Sequence, residues 1–214
     1  MSLKRENKFD ANTKMYILKL KSRDANKAPV PPYFEVNEKD ATTNKWTPVS
    51  QTNYVGGKLV KVEIRKWEFE NEPQFNINLY LSDGTELYLL DLKLNILSRS
   101  LLNQVLNLKT FENLSISTYV KKSKKDDKEY PAISLRQNDE LVNWAFGLEE
   151  MPKATEIMFK GKKMRDFSVI DQFVLDKVEE FAKKVGGKKV ESVNTVETSP
   201  QAPQDVDDKD SIPF

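Results

Sequence analysis

The chain has 214 residues, 38% of them hydrophobic and 10% aromatic, which is enough to bury one good-sized core. It contains no histidine and no cysteine, which excludes disulfides, thiolate and imidazole metal sites, and serine-histidine or cysteine-histidine catalytic systems. The net charge of +1 is unevenly divided, because residues 191 to 214 carry six acids and one lysine, a net of −5, after a body of net +6. A basic body with an acidic tail is typical of a polyanion-binding domain with a recruiting arm, although acidic tails also serve solubility alone.

The N-terminal part of the chain shows one strand and then little regular pattern. Residues 14 to 21 are predicted to form a strand. The proline-rich segment 28 to 32 is predicted to break regular structure, because proline fixes φ and lacks a backbone donor. Residues 37 to 58 are predicted to be a long loop that ends in Gly56-Gly57.

From residue 60 onward the hydrophobic pattern becomes regular. Alternation of apolar and polar residues predicts strands over 60–69, 75–81 and 86–92, with turns at 70–73 and 82–85. Asn95 is a predicted N-cap, and the next apolar positions fall on one helix face: Leu97, Leu101, Val105 and Leu108. Strands over 114–120 and 132–137 then flank a lysine-rich hairpin. This order of five strands and one helix predicts a mainly β protein with an OB-fold-like five-stranded barrel behind an N-terminal extension.

A second, amphipathic helix is predicted over residues 168 to 185, with Ser168 and Asp171 as a capping box and Gly186-Gly187 as its end. Its apolar stripe is expected to pack on the barrel, and a helix-helix contact between copies is the alternative. The domain is thus predicted to span residues 1 to 187. Residues 188 to 204 are predicted to be a disordered linker, followed by an acidic tip over 205 to 214.

The acidic tip carries the most specific signal in the sequence, at Asp207, Asp208, Asp210, Ile212, Pro213 and Phe214. It resembles the tail of bacterial and phage single-stranded DNA-binding proteins, in which an acidic cluster precedes a terminal Ile-Pro-Phe. The resemblance implies that this tip binds replication, recombination or repair proteins, with the aromatic ring in an apolar pocket and the acids on basic residues. Lys209 and Ser211 interrupt the acidic run, and the body does not resemble the usual bacterial domain, which favours a divergent phage-encoded member.

Strand parity places a second set of candidate residues on the outer face of the barrel. If Val60, Val62, Ile64, Phe75, Ile77 and Leu79 point inward, rings and cations share the opposite face, where bases could stack and phosphates could pair. The predicted DNA-binding residues are Lys61, Arg65, Trp67, Phe69, Asn78, Tyr80, Tyr119, Lys121, Lys122, Lys124, Lys125 and Arg136. Trp67 and Phe69 could instead lie under an appendage, and the lysine-rich hairpin could simply be solvated. Trp46 and Tyr54 are open between stacking and core roles, and Trp144 is expected to be a core residue.

These patterns predict a binding protein that coats single-stranded DNA without reading its sequence, with no enzymatic activity, no metal and no cofactor. No stretch approaches the roughly 18 to 20 apolar residues of a membrane span, and no apolar signal core follows the N-terminus, so we expect a soluble cytoplasmic protein. An accessory protein that binds duplex DNA or protein is one alternative. A metal-dependent nuclease built on carboxylates is another.

Overall fold

The computed structural model describes residues 14–23, 29–69, 72–123, 127–159 and 162–186. Eleven strands and two helices follow one another over these ranges. In chain order they are β1 (Lys14–Arg23), β2 (Pro29–Lys39), β3 (Trp46–Thr52), β4 (Tyr54–Phe69), β5 (Glu72–Ser82), β6 (Glu86–Leu92), α1 (Ile96–Val105), β7 (Leu114–Lys122), β8 (Glu129–Gln137), β9 (Glu140–Leu141), β10 (Thr155–Phe159), β11 (Lys162–Asp166) and α2 (Ser168–Gly186).

Nine strands form one mixed sheet in the order β3-β2-β1-β6-β5-β4-β7-β8-β9. Only the β1–β6 pair within it is parallel. The predicted mainly β class is therefore confirmed, as are the strands that correspond to β1 and to β4 through β8. β10 and β11 form a separate hairpin.

The predicted break at residues 28 to 32 and the predicted loop at residues 37 to 58 were wrong over most of their length, because residues 29 to 39, 46 to 52 and 54 to 58 lie in β2, β3 and β4. Residues 40 to 45 are irregular as predicted, and residue 28 lies outside the described residues. Proline is tolerated in β2 because β3 pairs only with its second half, from Phe34 to Lys39. The proline-rich first half has a strand neighbour only in β1, and such edge positions accept residues without a backbone donor. β3 gave no alternating signal because it ends the sheet, with residues 47 to 51 all exposed.

β4 bends between two parts of the sheet. Residues 54 to 57 pair with β7, whereas the strand from Lys58 onward pairs with β5. Gly57 lies at this change of partner with φ of +144°, and a Cβ there would fall 2.5 Å from the Ser82 carbonyl oxygen. A bulge follows between Leu59 and Lys61, so that Leu59 rather than the predicted Val60 is fully buried before Val62.

α1 begins as predicted. The Asn95 side chain accepts hydrogen bonds from the backbone of Leu97 and Ser98, and the Ser98 hydroxyl accepts one from the Asn95 backbone. The four residues of its predicted apolar face are all buried. Two buried polar residues tie this helix to the chain after β8: Gln104 donates to the Val142 carbonyl, and Asn103 exchanges two hydrogen bonds with the backbone of Phe146.

α2 packs on β4 through Val174, Leu175, Val178 and Phe181, which are all buried within a single chain. This confirms the predicted packing of the helix on the sheet. The predicted Ser168–Asp171 capping box was wrong. Both Asp171 carboxylate oxygens instead accept hydrogen bonds from Arg99 on α1, at 2.7 and 3.0 Å. Asp166 accepts the Ser168 backbone N–H in its place, and this bond holds the pKa of Asp166 below its usual value. No helix in the described ranges is both long and apolar enough to cross a membrane.

Candidate nucleic-acid interface

The structure divides the predicted DNA-binding residues into three groups. One lies at the far end of the β4–β5 hairpin, one on the middle of β4 and β5, and one on the outer face of β7 and β8. β4 links the first to the third, because the strand between Tyr54 and Trp67 spans roughly 40 Å at 3.3 Å per residue. The predicted residues therefore follow the sheet as a long track and do not form a single cluster.

The hairpin end consists of Arg65, Lys66, Trp67 and Phe69, all of them exposed. Trp67 pairs with Gln74, beyond the stretch of β5 that pairs with β6. The hairpin therefore projects past its neighbouring strands. Trp67 and Phe69 are 40% and 54% exposed, so the outward placement predicted for both rings is confirmed. Neighbouring exposed rings of this kind often mark a binding surface.

The middle of the hairpin is a hydrogen-bonded network. The Tyr80 hydroxyl donates to Glu63 at 2.8 Å, and the Lys61 ammonium lies 3.0 Å from the same carboxylate. Lys61 also lies 5.0 Å from the centroid of the Tyr80 ring. The prediction that Tyr80 is a freely exposed platform was wrong: it is half-buried, and an ammonium already occupies one ring face. A base could use that ring face only by displacing Lys61.

This network shifts the pKa values of Glu63 and Tyr80. Burial would raise the pKa of Glu63, but the hydrogen bonds from Lys61 and Tyr80 outweigh it and hold that pKa below its usual value. Burial, together with the bond to the Glu63 carboxylate, raises the pKa of Tyr80. Glu63 is thus a stable anion at neutral pH that neutralises Lys61.

Asn78 was predicted to face the DNA, but it is only 6% exposed. It lies on the central strand β5, between Glu63 on β4 and Asp91 on β6, so longer side chains flank it on both sides. Its neighbour Asn76 donates to the Asp91 carboxylate. The side-chain oxygens of both asparagines are buried without a hydrogen-bond partner within the described chain. Asn78 is thus part of the sheet interior, where a direct contact with DNA would need a local rearrangement.

The outer face of β7 and β8 carries the third group. Tyr119 is 44% exposed, and Lys121 and Arg136 are exposed on the same face of the sheet, as predicted. Lys122 forms an ion pair with Asp127 at 3.0 Å. Lys124 and Lys125 lie outside the described residues.

Tyr54 joins this outer face, because it pairs with Ser117 on β7 and is 54% exposed. A Cβ on Gly56 would fall 2.7 Å from the Tyr54 hydroxyl oxygen, so the glycine leaves room for this ring to lie along the strand. Of the two roles left open for Tyr54, the core role is excluded by this exposure, and base stacking stays a prediction.

The expectation of a buried Trp144 was wrong, because this residue is 48% exposed. The two hydrogen bonds between Asn103 and the Phe146 backbone fix the loop, and the Phe146 ring packs at 5.1 Å against Phe173. Phe146 therefore takes the sheltered place on α2. Trp46 is partly buried at the start of β3.

Sequence reasoning missed an open groove of about 890 Å³ where β2 and the end of β3 approach β7. Its lining includes Tyr33, which was not assigned to a strand face because the preceding prolines predicted a break. The alternation of Tyr33 with the buried Phe34 is the signal that could have found it.

No group of three or more acidic side chains suited to a metal ion occurs in the described part of the chain. The predicted partner-binding residues Asp207, Asp208, Asp210, Ile212, Pro213 and Phe214 lie outside it. No family model, curated protein or solved structure matches this chain.

Proposed function

We propose that this protein binds single-stranded DNA without sequence preference, with exposed rings stacking on bases and neighbouring cations pairing with phosphates. The observation that carries the proposal is the set of unburied aromatic residues on the outward side of strands whose other side is the core. Trp67 and Phe69 are exposed on the hairpin end, and Tyr54 and Tyr119 on the β7 side. Every base has a π-face, so stacking platforms of this kind favour binding without readout.

The strand order supports an OB-fold-type barrel as the scaffold for this function. β4 to β8 are adjacent in the order β6-β5-β4-β7-β8, with α1 between β6 and β7 in the chain. Proteins with OB-folds bind oligonucleotides on the face of their second and third strands and with the loops beside it. On that scaffold β5 and β6 would be the second and third strands, but their outer face is buried, since Asn78, Leu87 and Leu89 are 6%, 5% and 8% exposed. The DNA strand would instead contact the β4–β5 and β7–β8 hairpins beside this face. β1, β2 and β3 would be an addition that extends the sheet beyond β6.

Residues 205 to 214 are proposed to recruit replication, recombination or repair proteins to the coated strand. The support is the acidic cluster followed by Ile212-Pro213-Phe214, a combination that presents a large apolar anchor together with dense negative charge. Binding and recruitment would then reside in separate parts of the chain, in the host-cell cytoplasm where replication takes place.

Binding of labelled 30-nucleotide strands and of the matching duplex, followed by fluorescence anisotropy, tests the DNA proposal. We expect the single strand to bind more tightly. Replacing Trp67 by alanine should weaken binding by roughly 1 to 3 kcal/mol, the usual contribution of a stacked base. Trp144→Ala is the matched control, because this tryptophan is similarly exposed but lies on a loop anchored to α1.

Other outcomes would favour the other functions. Equal or tighter binding of the duplex would indicate an accessory protein of duplex DNA. Magnesium-dependent scission of either substrate would indicate a nuclease. An equal effect of Trp67→Ala and Trp144→Ala would show that the hairpin end is not a specific contact.

A further inference from the structure

The first half of β2, with which β3 does not pair, is joined to β7 by a specific contact. The Thr118 hydroxyl donates to the Pro32 carbonyl at 2.8 Å, and the Thr118 backbone N–H donates to the Asn53 carbonyl at 2.9 Å. Both Thr118 and Pro32 are buried. These bonds hold β2, the β3–β4 connection and β7 together, and they form the floor of the open groove of about 890 Å³.

Two tyrosines stand on opposite walls of this groove. Tyr33 follows buried Pro32 on β2, and Tyr119 follows buried Thr118 on β7, so both rings project to the outer side of the same floor. Tyr119 is 44% exposed, and Tyr33 is partly exposed. The remaining lining is a mixture of apolar and uncharged polar side chains: Val30, Pro31, Gln51, Thr52, Asn53 and Val120.

A lysine accompanies each tyrosine on its own face of the sheet. Lys21 is the cross-strand partner of Tyr33, and Lys121 lies two residues after Tyr119. Within the described ranges neither Lys21 nor Lys121 forms an ion pair. The lining itself contains no acidic residue. An aromatic ring thus lines each side of the groove, and an unpaired lysine lies next to each ring, although neither lysine is a lining residue. The nearest acid along β2 is Glu35, two residues after Tyr33 on the same face, and its cross-strand partner is Lys19.

From this arrangement we infer that the groove between Tyr33 and Tyr119 binds unpaired nucleotides of single-stranded DNA, with the bases against the rings and the phosphates near Lys21 and Lys121. The inference rests on the proposed function and adds a site to it. Charge decides the occupant, because uncommitted lysines on both sides favour a polyanion. A proline-rich peptide, which also suits grooves lined by tyrosine and proline, would gain little from these cations.

This site would belong to the three N-terminal strands as much as to the five strands from β4 to β8. Tyr33 stands on β2, and the lining residues Gln51 and Thr52 stand on β3. A strand held in the groove would continue along β7 towards the lysine-rich β7–β8 hairpin. The groove would therefore lengthen the DNA track at the end opposite Trp67 and Phe69.

The test uses the full chain and compares Tyr33→Ala, Tyr119→Ala and Tyr33→Phe with Trp144→Ala as the exposed aromatic control. Affinity for a labelled 30-nucleotide strand is measured by anisotropy, and the melting temperature of each variant is recorded. A 30-mer with photoreactive iodouracil at every fifth position is then cross-linked and the attachment sites are mapped by mass spectrometry. We expect each alanine variant at the groove to lose about 5- to 150-fold in affinity. Tyr33→Phe and Trp144→Ala should bind like the wild type, and cross-links should fall on Tyr33 or Tyr119.

The outcomes separate this inference from the proposed function. If the wild type binds single strands but both alanine variants bind equally well, the groove is not a DNA site, although the function stands. If the wild type does not bind single strands at all, the proposed function fails first. Binding of a labelled proline-rich peptide that depends on Tyr33 and is not displaced by the oligonucleotide would assign the groove to peptide instead. Should Tyr33→Ala fail to fold, the exposed Tyr119→Ala variant and the cross-links still decide the question.

Discussion

The ion pairs of the structure allow the salt dependence of DNA binding to be predicted by residue. A cation that pairs with a DNA phosphate displaces counterions, so log affinity falls with log salt concentration by about 0.7 for each single-strand phosphate neutralised. A lysine already paired with a carboxylate releases fewer counterions when DNA arrives. Paired and unpaired cations should therefore contribute differently to the slope.

Five cations of the predicted DNA-binding set lie in the described ranges. Two of them already form an ion pair within the protein, because Lys61 and Lys122 each lie 3.0 Å from a carboxylate oxygen. Arg65, Lys121 and Arg136 form no ion pair with the described part of the chain. These three predict a slope of about −2 for the single strand. Cations from outside this set would make the slope steeper.

Anisotropy titrations of one labelled 30-mer at five salt concentrations measure the slope. Arg65→Gln or Lys121→Gln should make it shallower by about 0.7. The double variant K61Q/E63Q removes a cation and its partner together, leaves the net charge unchanged, and should leave the slope within error of the wild type. The reasoning is refuted if this double variant lowers the slope as much as Arg65→Gln does, or if affinity does not depend on salt.

Three further predictions concern stability and recruitment. Glu63→Gln should make stability depend less on pH at the acid end. Because the folded-state pKa of Glu63 lies below its ordinary value of 4.5, the stabilisation from the carboxylate is fully present above pH 4.5 and is lost as the pH falls through the folded-state pKa. Urea unfolding midpoints of the wild type and the variant at pH 7, 4.5 and 3 would measure this difference. Gly57→Ala should cost about 1 to 3 kcal/mol more than Gly84→Ala in urea unfolding, because both glycines have positive φ but only at Gly57 would a Cβ meet backbone, so equal costs would contradict this account. Deleting residues 211 to 214 should abolish capture of replication or repair proteins while DNA affinity stays the same or rises slightly, and loss of DNA binding with capture intact would place the tail in the DNA site instead.

The strands with one buried and one wet face could be predicted from the sequence, because alternation reports burial directly. β4 and β7 have such faces, and α1 and α2 show the equivalent helical stripe. β5, β6 and β8 were also predicted, although residues on both of their faces are buried. β3 could not be found this way, since an exposed strand at the end of a sheet has no alternating burial. β2 was not predicted because its prolines indicated a break, but proline is tolerated in a strand where no second strand needs its backbone donor.

The facing of single residues within a correctly predicted strand was harder to predict. The bulge at Leu59 and Lys61 shifts which residue enters the core, and no local signal of the sequence marks it. Tyr80 has the predicted parity, yet the neighbouring Lys61 and Glu63 enclose it through contacts across two strands. Trp144 was misplaced because its loop is oriented by Asn103, about forty residues earlier in the chain. The facing and exposure of these residues depend on tertiary contacts, which the hydrophobic periodicity of the sequence does not report.

The same contacts change what the sequence implied about the binding energy. The sequence predicted a face that rings and cations share, but two of those cations, Lys61 and Lys122, each lie 3.0 Å from a carboxylate oxygen. The rings at the two ends of the track have no such competitor, since Trp67, Phe69 and Tyr119 are 40%, 54% and 44% exposed. Stacking is much less sensitive to salt than phosphate pairing is. A protein that combines exposed rings with lysines already paired to carboxylates should therefore keep more of its affinity for single strands at high salt than a purely electrostatic complex keeps.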